Sequence, residues 1–164
     1  MFKNRHEVIL LVYGKGGHTA QMERFLHSQP KKFDEKCYVA LSNSASLDNK
    51  LEQRFYCMEA RDKFSKLKNI FIFLAYPLLA FVQMCRILIN YKVTGMISTG
   101  PGMAVIPALL CRLLLKPVVF FESWSRVSQK SIAGRVMCRI ANLFFVQHKG
   151  MKKQYPDATY KGRL

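Results

Sequence analysis

This sequence predicts an α/β fold built on a parallel sheet, on three observations. Short apolar runs rich in β-branched and aromatic residues alternate with helix-like stretches, the order that makes βα units. The runs are nearly continuous in apolar character rather than alternating, as strands are when both faces of their sheet are covered. The 164 residues, half of them hydrophobic, suffice for one domain with a real core.

EVILLVY (7–13) is the first strand. It follows a basic start and so imitates a secretion signal, but it runs straight into a glycine cluster with no small-residue cleavage site. HTAQMERFLHS (18–28) is the first helix. KCYVAL (36–41) and RFYCME (54–59) are the second and third strands, with SLDNKLEQ (46–53) helical between them. A long apolar stretch covers 66–91. TGMIST (94–99), PVVFFE (117–122) and NLFFVQ (142–147) are strands four to six. GMAVIPALLCRLLL (102–115) and SIAGRVMCRIA (131–141) are the helices joining them. The sum is a single open, Rossmann-like domain over residues 1–164, with no repeat, low-complexity segment or long linker.

The stretch 70–89, IFIFLAYPLLAFVQMCRILI, is long enough as a helix to cross a bilayer. A single crossing would put strands one to three and four to six on opposite sides, where they could not share a sheet. Pro77, Gln83 and Arg86 also interrupt it. The expectation is a kinked helix or helix pair, partly packed on the sheet and partly dipped into a membrane surface. Lys63, Lys66, Lys68, Arg86 and Lys92 would then meet anionic headgroups. The alternative is a wholly buried core helix or a protein-docking face.

Charge bears on the same point. There are 26 Lys and Arg against 10 Asp and Glu, a net charge of +16, which favours an anionic partner. Neither an RNA-recognition signature nor a basic–aromatic stacking pattern is present, so nucleic acid is not expected. The five cysteines are scattered, with no CxxC or Cys/His spacing. This predicts no metal site and a reducing, cytoplasmic compartment.

Three loops follow predicted strands: Gly14-Lys15-Gly16-Gly17-His18-Thr19, Ser98-Thr99-Gly100-Pro101-Gly102 and Glu122-Ser123-Trp124-Ser125-Arg126. Ligands of open α/β sheets bind outside the carboxyl ends of the strands, so the three should converge. Two glycine-containing helix entrances can offer backbone N–H groups to a diphosphate. The common nucleotide motifs fit badly. Lys15 stands before the second glycine, unlike the lysine of a Walker A loop, and Thr19 occupies the place of the third glycine of a dinucleotide fingerprint. The second strand ends in Leu41-Ser42-Asn43 without an acidic ribose ligand. Neither an ATPase nor an NAD enzyme is expected, and no cofactor.

YGKGGHTAQM, STGPGMAVIPALLC and the run from Phe120 to Leu164, FFESWSRVSQKSIAGRVMCRIANLFFVQHKGMKKQYPDATYKGRL, carry a resemblance across nearly the whole chain. It resembles the PssD-type exopolysaccharide biosynthesis proteins. It also resembles their eukaryotic counterpart, the membrane-recruiting subunit of the two-part transferase that adds the second N-acetylglucosamine to dolichol-pyrophosphate. A more distant similarity is to the N-terminal half of MurG, which has the same order of loops. The resemblance implies the N-terminal half of a GT-B glycosyltransferase split between two chains. This half would bind the membrane and a lipid-pyrophosphate-linked saccharide acceptor. A separate partner subunit, resembling a GT-B C-terminal half, would hold most of the nucleotide-sugar site.

No second βα domain follows Tyr160, so the chain is expected to be inactive alone. Eukaryotic members often have an N-terminal transmembrane helix. None is legible before the first strand, so attachment at the cytoplasmic membrane face, peripheral or monotopic, is expected through 70–89 or through the partner's surroundings.

On this reading Gly14, Gly16, Gly17, Thr19, Gly100 and Gly102 cradle the acceptor's pyrophosphate. His18 is the candidate general base on the acceptor hydroxyl, and Glu122 is its rival or its orienting group. Ser123 and Arg126 are further acceptor contacts. Trp124 stacks on a sugar, docks the partner or packs in the core. His6, His27 and His148 are assigned no role. Transfer from a UDP-sugar would be inverting and, without an Asp-x-Asp motif, independent of a bound metal. Helix-end dipoles and cations would stabilise the departing UDP. The alternative is a non-catalytic membrane scaffold that recruits and activates a separate glycosyltransferase subunit.

Overall fold

A computed structural model describes residues 5–30, 35–44, 47, 51–58 and 66–164, with side chains within 66–74 left aside. The elements in chain order are β1 (Glu7–Tyr13), α1 (Gly17–His27), β2 (Cys37–Ser42), β3 (Gln53–Tyr56), α2 (Lys66–Asn90), β4 (Lys92–Ser98), α3 (Val105–Leu113), β5 (Val118–Phe121), α4 (Ile132–Ile140), β6 (Leu143–Val146) and β7 (Thr159–Tyr160). Short 3-10 turns at Gly102–Ala104 and Lys149–Lys153 precede α3 and β7. The strands form one parallel sheet in the order β3-β2-β1-β4-β5-β6-β7, the α/β architecture expected.

Side-chain alternation along β1 divides the core. Val8, Leu10 and Val12 face a cluster that includes Met84, Ile87, Ala108 and Met137, so α2, α3 and α4 cover that side. Leu11 and Tyr13 face Met22 and Leu26 of α1, with Tyr38 and Ala40 of β2. The strand order reverses between β1 and β4, where Leu10 pairs with Val39 on one side and Met96 on the other. That reversal opens a crevice at the carboxyl edge.

The apolar stretch is a single helix, α2, rather than a pair, with Pro77 inside it. Beyond residue 74, Tyr76, Ala80, Met84 and Ile87 are buried while Leu78, Phe81, Val82 and Ile89 are exposed. The i, i+4 stripe packs on the sheet and the other side stays apolar but outward. The Tyr76 hydroxyl donates to the Met103 carbonyl at 2.7 Å, tying α2 to the turn after β4. Among the described residues no helix is long and apolar enough to cross a membrane.

Other boundaries moved for local reasons. The third strand ends at Tyr56, and Cys57 turns into the core, where burial pushes its thiol up to about 12. Half of the helix expected over 46–53 lies outside the described residues; of the rest, Leu47, Leu51 and Glu52 are not helical and Gln53 opens β3. β7 was not expected: its two residues pair with Phe145 and Val146, too few to leave a periodic signal. α3 ends in a Schellman cap, with the Leu115 N–H bonded to the Arg112 carbonyl and the Lys116 N–H to the Cys111 carbonyl.

The two sides of α2 should respond differently to truncation. Met84→Ala should lower the unfolding free energy by about 2–5 kcal/mol. Leu78→Ser should stay within about 0.5 kcal/mol. Urea unfolding of both variants checks this.

Candidate functional site

The crevice is assembled from three loops that touch. After β1 the chain turns at Gly16, whose φ of 67° and ψ of −123° suit glycine. α1 then begins at the carboxyl edge of the sheet with no capping side chain and no acid in its first turn. The Thr19 hydroxyl donates to the Gly14 carbonyl at 2.7 Å. Thr19 is thus buried beneath the loop it was expected to share with the ligand, and braces it. After β4, Gly100 has φ 96°, and a Cβ there would lie 3.1 Å from His18 Cε1 and 3.2 Å from the Ser123 nitrogen. A Cβ on Gly14 would lie 3.3 Å from that of Pro101. These glycines let the loops close on one another. Gly102 is exposed at the rim.

His18 stands between the two glycine loops, half-buried. Its Nδ1 lies 2.5 Å from the Thr99 carbonyl, and the Thr99 hydroxyl donates to the His18 carbonyl at 2.8 Å. A carbonyl only accepts, so Nδ1 carries a proton and Nε2 is the ring's other nitrogen.

Glu122, expected as the rival base or as an orienting group, lies deeper than His18. It is fully buried. Oε1 accepts from the Ser123 N–H at 2.9 Å. Oε2 accepts from the Ser131 hydroxyl at 3.0 Å and the Tyr155 hydroxyl at 2.7 Å. The Ser131 hydroxyl also caps α4 by accepting from the Gly134 N–H at 2.7 Å. The carboxylate therefore joins the end of β5, the start of α4 and the segment before β7.

Trp124 is half-buried at the edge of α1, with the Arg24 guanidinium 4.9 Å from its ring centroid and that of Arg163 at 5.8 Å. A Cβ on Gly17 would meet its Nε1 at 3.1 Å. Buried Gln21 donates to the Glu122 carbonyl at 3.1 Å and accepts from the Trp124 N–H at 3.4 Å. His148, to which the sequence assigned no role, donates from Nε2 to the Trp124 carbonyl at 2.7 Å. Ser123 lies half-buried beside Gly100, and Arg126 is exposed on the turn closed by its N–H to the Ser123 carbonyl. Among the described residues no His, Cys, Asp and Glu cluster could hold a metal.

Two outcomes test this framework. A Cβ on Gly134 would fall 2.0 Å from Glu122 Oε2 and 2.4 Å from the Tyr155 hydroxyl. Gly134→Ala should therefore destabilise the fold by at least about 2 kcal/mol in calorimetry. Burial, then the hydrogen bond to Glu122, push Tyr155 well above its ordinary value of 10.0. The folded protein holds that proton where the unfolded chain loses it. This contribution is complete below about pH 10 and is lost as pH rises further. Tyr155→Phe should flatten that part of the stability–pH curve.

Comparison with known proteins places this geometry in a lineage. The family model described as "Oligosaccharide biosynthesis protein Alg14 like" matches residues 9–164. The human UDP-N-acetylglucosamine transferase subunit ALG14 is 27% identical over 95% of this chain and 82% of its own length. The Yarrowia lipolytica protein of the same name is 24% identical over 99% and 83%. Among solved structures, Acinetobacter baumannii MurG superposes with a TM-score of 0.61 at 18% identity, over 96% of this chain and 44% of MurG. A UDP-N-acetylglucosamine 2-epimerase gives 0.65 at 15%, over 93% and 45%. The chain thus spans less than half the length of either, and at these identities the likeness is one of fold. On the family match, which runs through all three crevice loops and the Glu122 network, the chain belongs to the Alg14-like oligosaccharide biosynthesis proteins.

Proposed function

We propose that this chain is the membrane-associated, acceptor-binding subunit of a two-component inverting glycosyltransferase. It would act on a lipid-pyrophosphate-linked saccharide in oligosaccharide or polysaccharide synthesis, exopolysaccharide included. A separate subunit resembling a GT-B C-terminal half would bind the UDP-sugar, and the chain alone would be inactive. The name shared by the relatives makes UDP-N-acetylglucosamine the donor to test first. The observation that carries the reading is His18, held by the Thr99 carbonyl between two glycine loops at the helix entrance.

The acceptor's pyrophosphate lies against the N–H groups that open α1 and the turn after Gly100. The acceptor hydroxyl oxygen attacks the anomeric carbon, its proton passes to His18 Nε2, and the bond to UDP breaks with the electron pair leaving on UDP. Attack opposite the leaving group inverts the anomeric centre. Glu122 is a positioning residue: its oxygens are engaged with Ser123, Ser131 and Tyr155, and it sets where the Ser123–Arg126 loop lies. Ser123 and Arg126 meet the acceptor from that loop. The exposed apolar side of α2 and the net charge of +16 support attachment to the cytoplasmic face of a membrane.

The test is His18→Ala in the chain assembled with its sugar-nucleotide-binding partner. Turnover should fall by roughly two to four orders of magnitude, with little change in acceptor KM, because only the transition state loses its proton acceptor. Normal turnover in the assembled variant would mean that this subunit is a scaffold.

A further inference from the structure

Acidic residues are distributed very unevenly along this chain. Between Asp62 and Asp157 the sequence has one carboxylate, Glu122, and it is fully buried. The layer formed by α2, α3 and α4 therefore has no acid on its helices, while Arg86, Arg112, Arg135 and Arg139 are exposed on them. The same layer leaves large apolar side chains outward: Phe81 on α2, Leu109 and Leu113 on α3, Val136 on α4.

The feature with no account in folding is the end of α3. Leu113, Leu114 and Leu115 follow one another at 78%, 48% and 89% exposure. Leu115 holds the left-handed position of the Schellman cap, at φ 57°, where glycine is the usual residue. An apolar side chain in such a cap is ordinarily explained by packing on the last turn. Leu115 has almost nothing beneath it. Backbone strain is thus retained at a place where the side chain gains no burial within the chain.

α2 and α3 both run away from the crevice and lead into adjacent strands, β4 and β5. Exposed Ile89 at the end of α2 and the three leucines therefore emerge at one edge of the sheet. Glu7, which starts β1 at that edge, is paired with Lys92 at 2.8 Å.

We propose that this edge of the α2–α3 layer docks on an anionic lipid bilayer. The Leu113–Leu115 turn enters the acyl boundary, and Arg86, Arg112 and Lys116 meet the headgroups. The occupant follows from charge and shape together. A surface with cations but no exposed carboxylate on its helices attracts an anionic sheet of headgroups, and protruding leucines gain from hydrocarbon what they lack in the fold. α2 spans the sheet from the crevice end to this edge, so a bilayer along its outer side reaches both. The inference rests on the peripheral-membrane reading above and names the inserting element and the lipid charge it selects.

Leu115→Gly separates the lipid role from the structural one. Glycine takes the left-handed position without strain, so the thermal midpoint should hold or rise while the anchor is lost. The full chain should co-sediment with phosphatidylcholine–phosphatidylglycerol vesicles and much less with phosphatidylcholine alone. Leu115→Gly should weaken partition into the mixed vesicles by about tenfold, the scale of one leucine side chain returned to water. Arg112→Glu should weaken binding only where phosphatidylglycerol is present. If the wild-type chain binds mixed vesicles and both variants bind equally well, the docking edge is wrong and the membrane reading survives. If the wild-type chain binds no vesicles, the membrane reading itself fails. If Leu115→Gly binds vesicles normally but no longer assembles with the sugar-nucleotide-binding partner, the edge is a protein interface and the proposal is overturned.

Discussion

A carboxylate taken wholly out of water must find donors for its oxygens or lose its charge. Glu122 meets that constraint entirely from neutral groups: two hydroxyls and two main-chain N–H groups, that of Ser131 at 3.4 Å being the longest. Its own main chain is occupied too, with the N–H on the Phe145 carbonyl and the carbonyl on Gln21. The site depends on this knot. The donors come from three separate parts of the chain, so satisfying one side chain places the end of β5, the start of α4 and Tyr155 relative to one another. The absence of a side chain at Gly134 is what leaves room for it.

Around that fixed point the crevice is made by close approach. Glycines stand where backbone meets backbone or an aromatic edge, and His18 fills the gap they leave. Its ring is oriented by the main-chain carbonyl of Thr99, just beyond β4. The Tyr76 hydroxyl holds α2 against the turn beyond Gly100. The apolar helix and the crevice floor are therefore parts of one packed unit.

The sheet was legible in the sequence because parallel strands covered on both faces are written as apolar runs, while the exposed edge strand β3 was read only from its aromatic pair, Phe55 and Tyr56. That the two glycine loops and His18 lie together was legible because loops that follow parallel strands share the carboxyl edge. Glu122 was legible as unusual but not as buried. Ser131 and Tyr155 lie far from it along the chain, and no local pattern links an N-cap serine and a distant tyrosine to one carboxylate. Gly134 read as an ordinary helical residue, and β7 was too short to register. His148 gained its place only through a tertiary contact with the Trp124 carbonyl. Leu115 was hidden because a leucine at the end of a leucine-rich helix looks like more helix, and only the backbone shows the turn.

The parallel sheet has a consequence for how the chain comes to be folded. β1, at the centre, pairs with β4, so that Val8 meets Val93, and no tight hairpin can nucleate any pair. Such long-range pairings make the loop-closure entropy fall due before the contacts reward it, and they slow folding. During synthesis the first strand must therefore wait, unpaired on one side, until the greasy α2 segment and β4 have emerged. Over that interval the nascent chain displays two strongly apolar stretches at once. Early capture of the α2 segment, by a chaperone or by a membrane surface, would shelter the chain until its central strand has both neighbours.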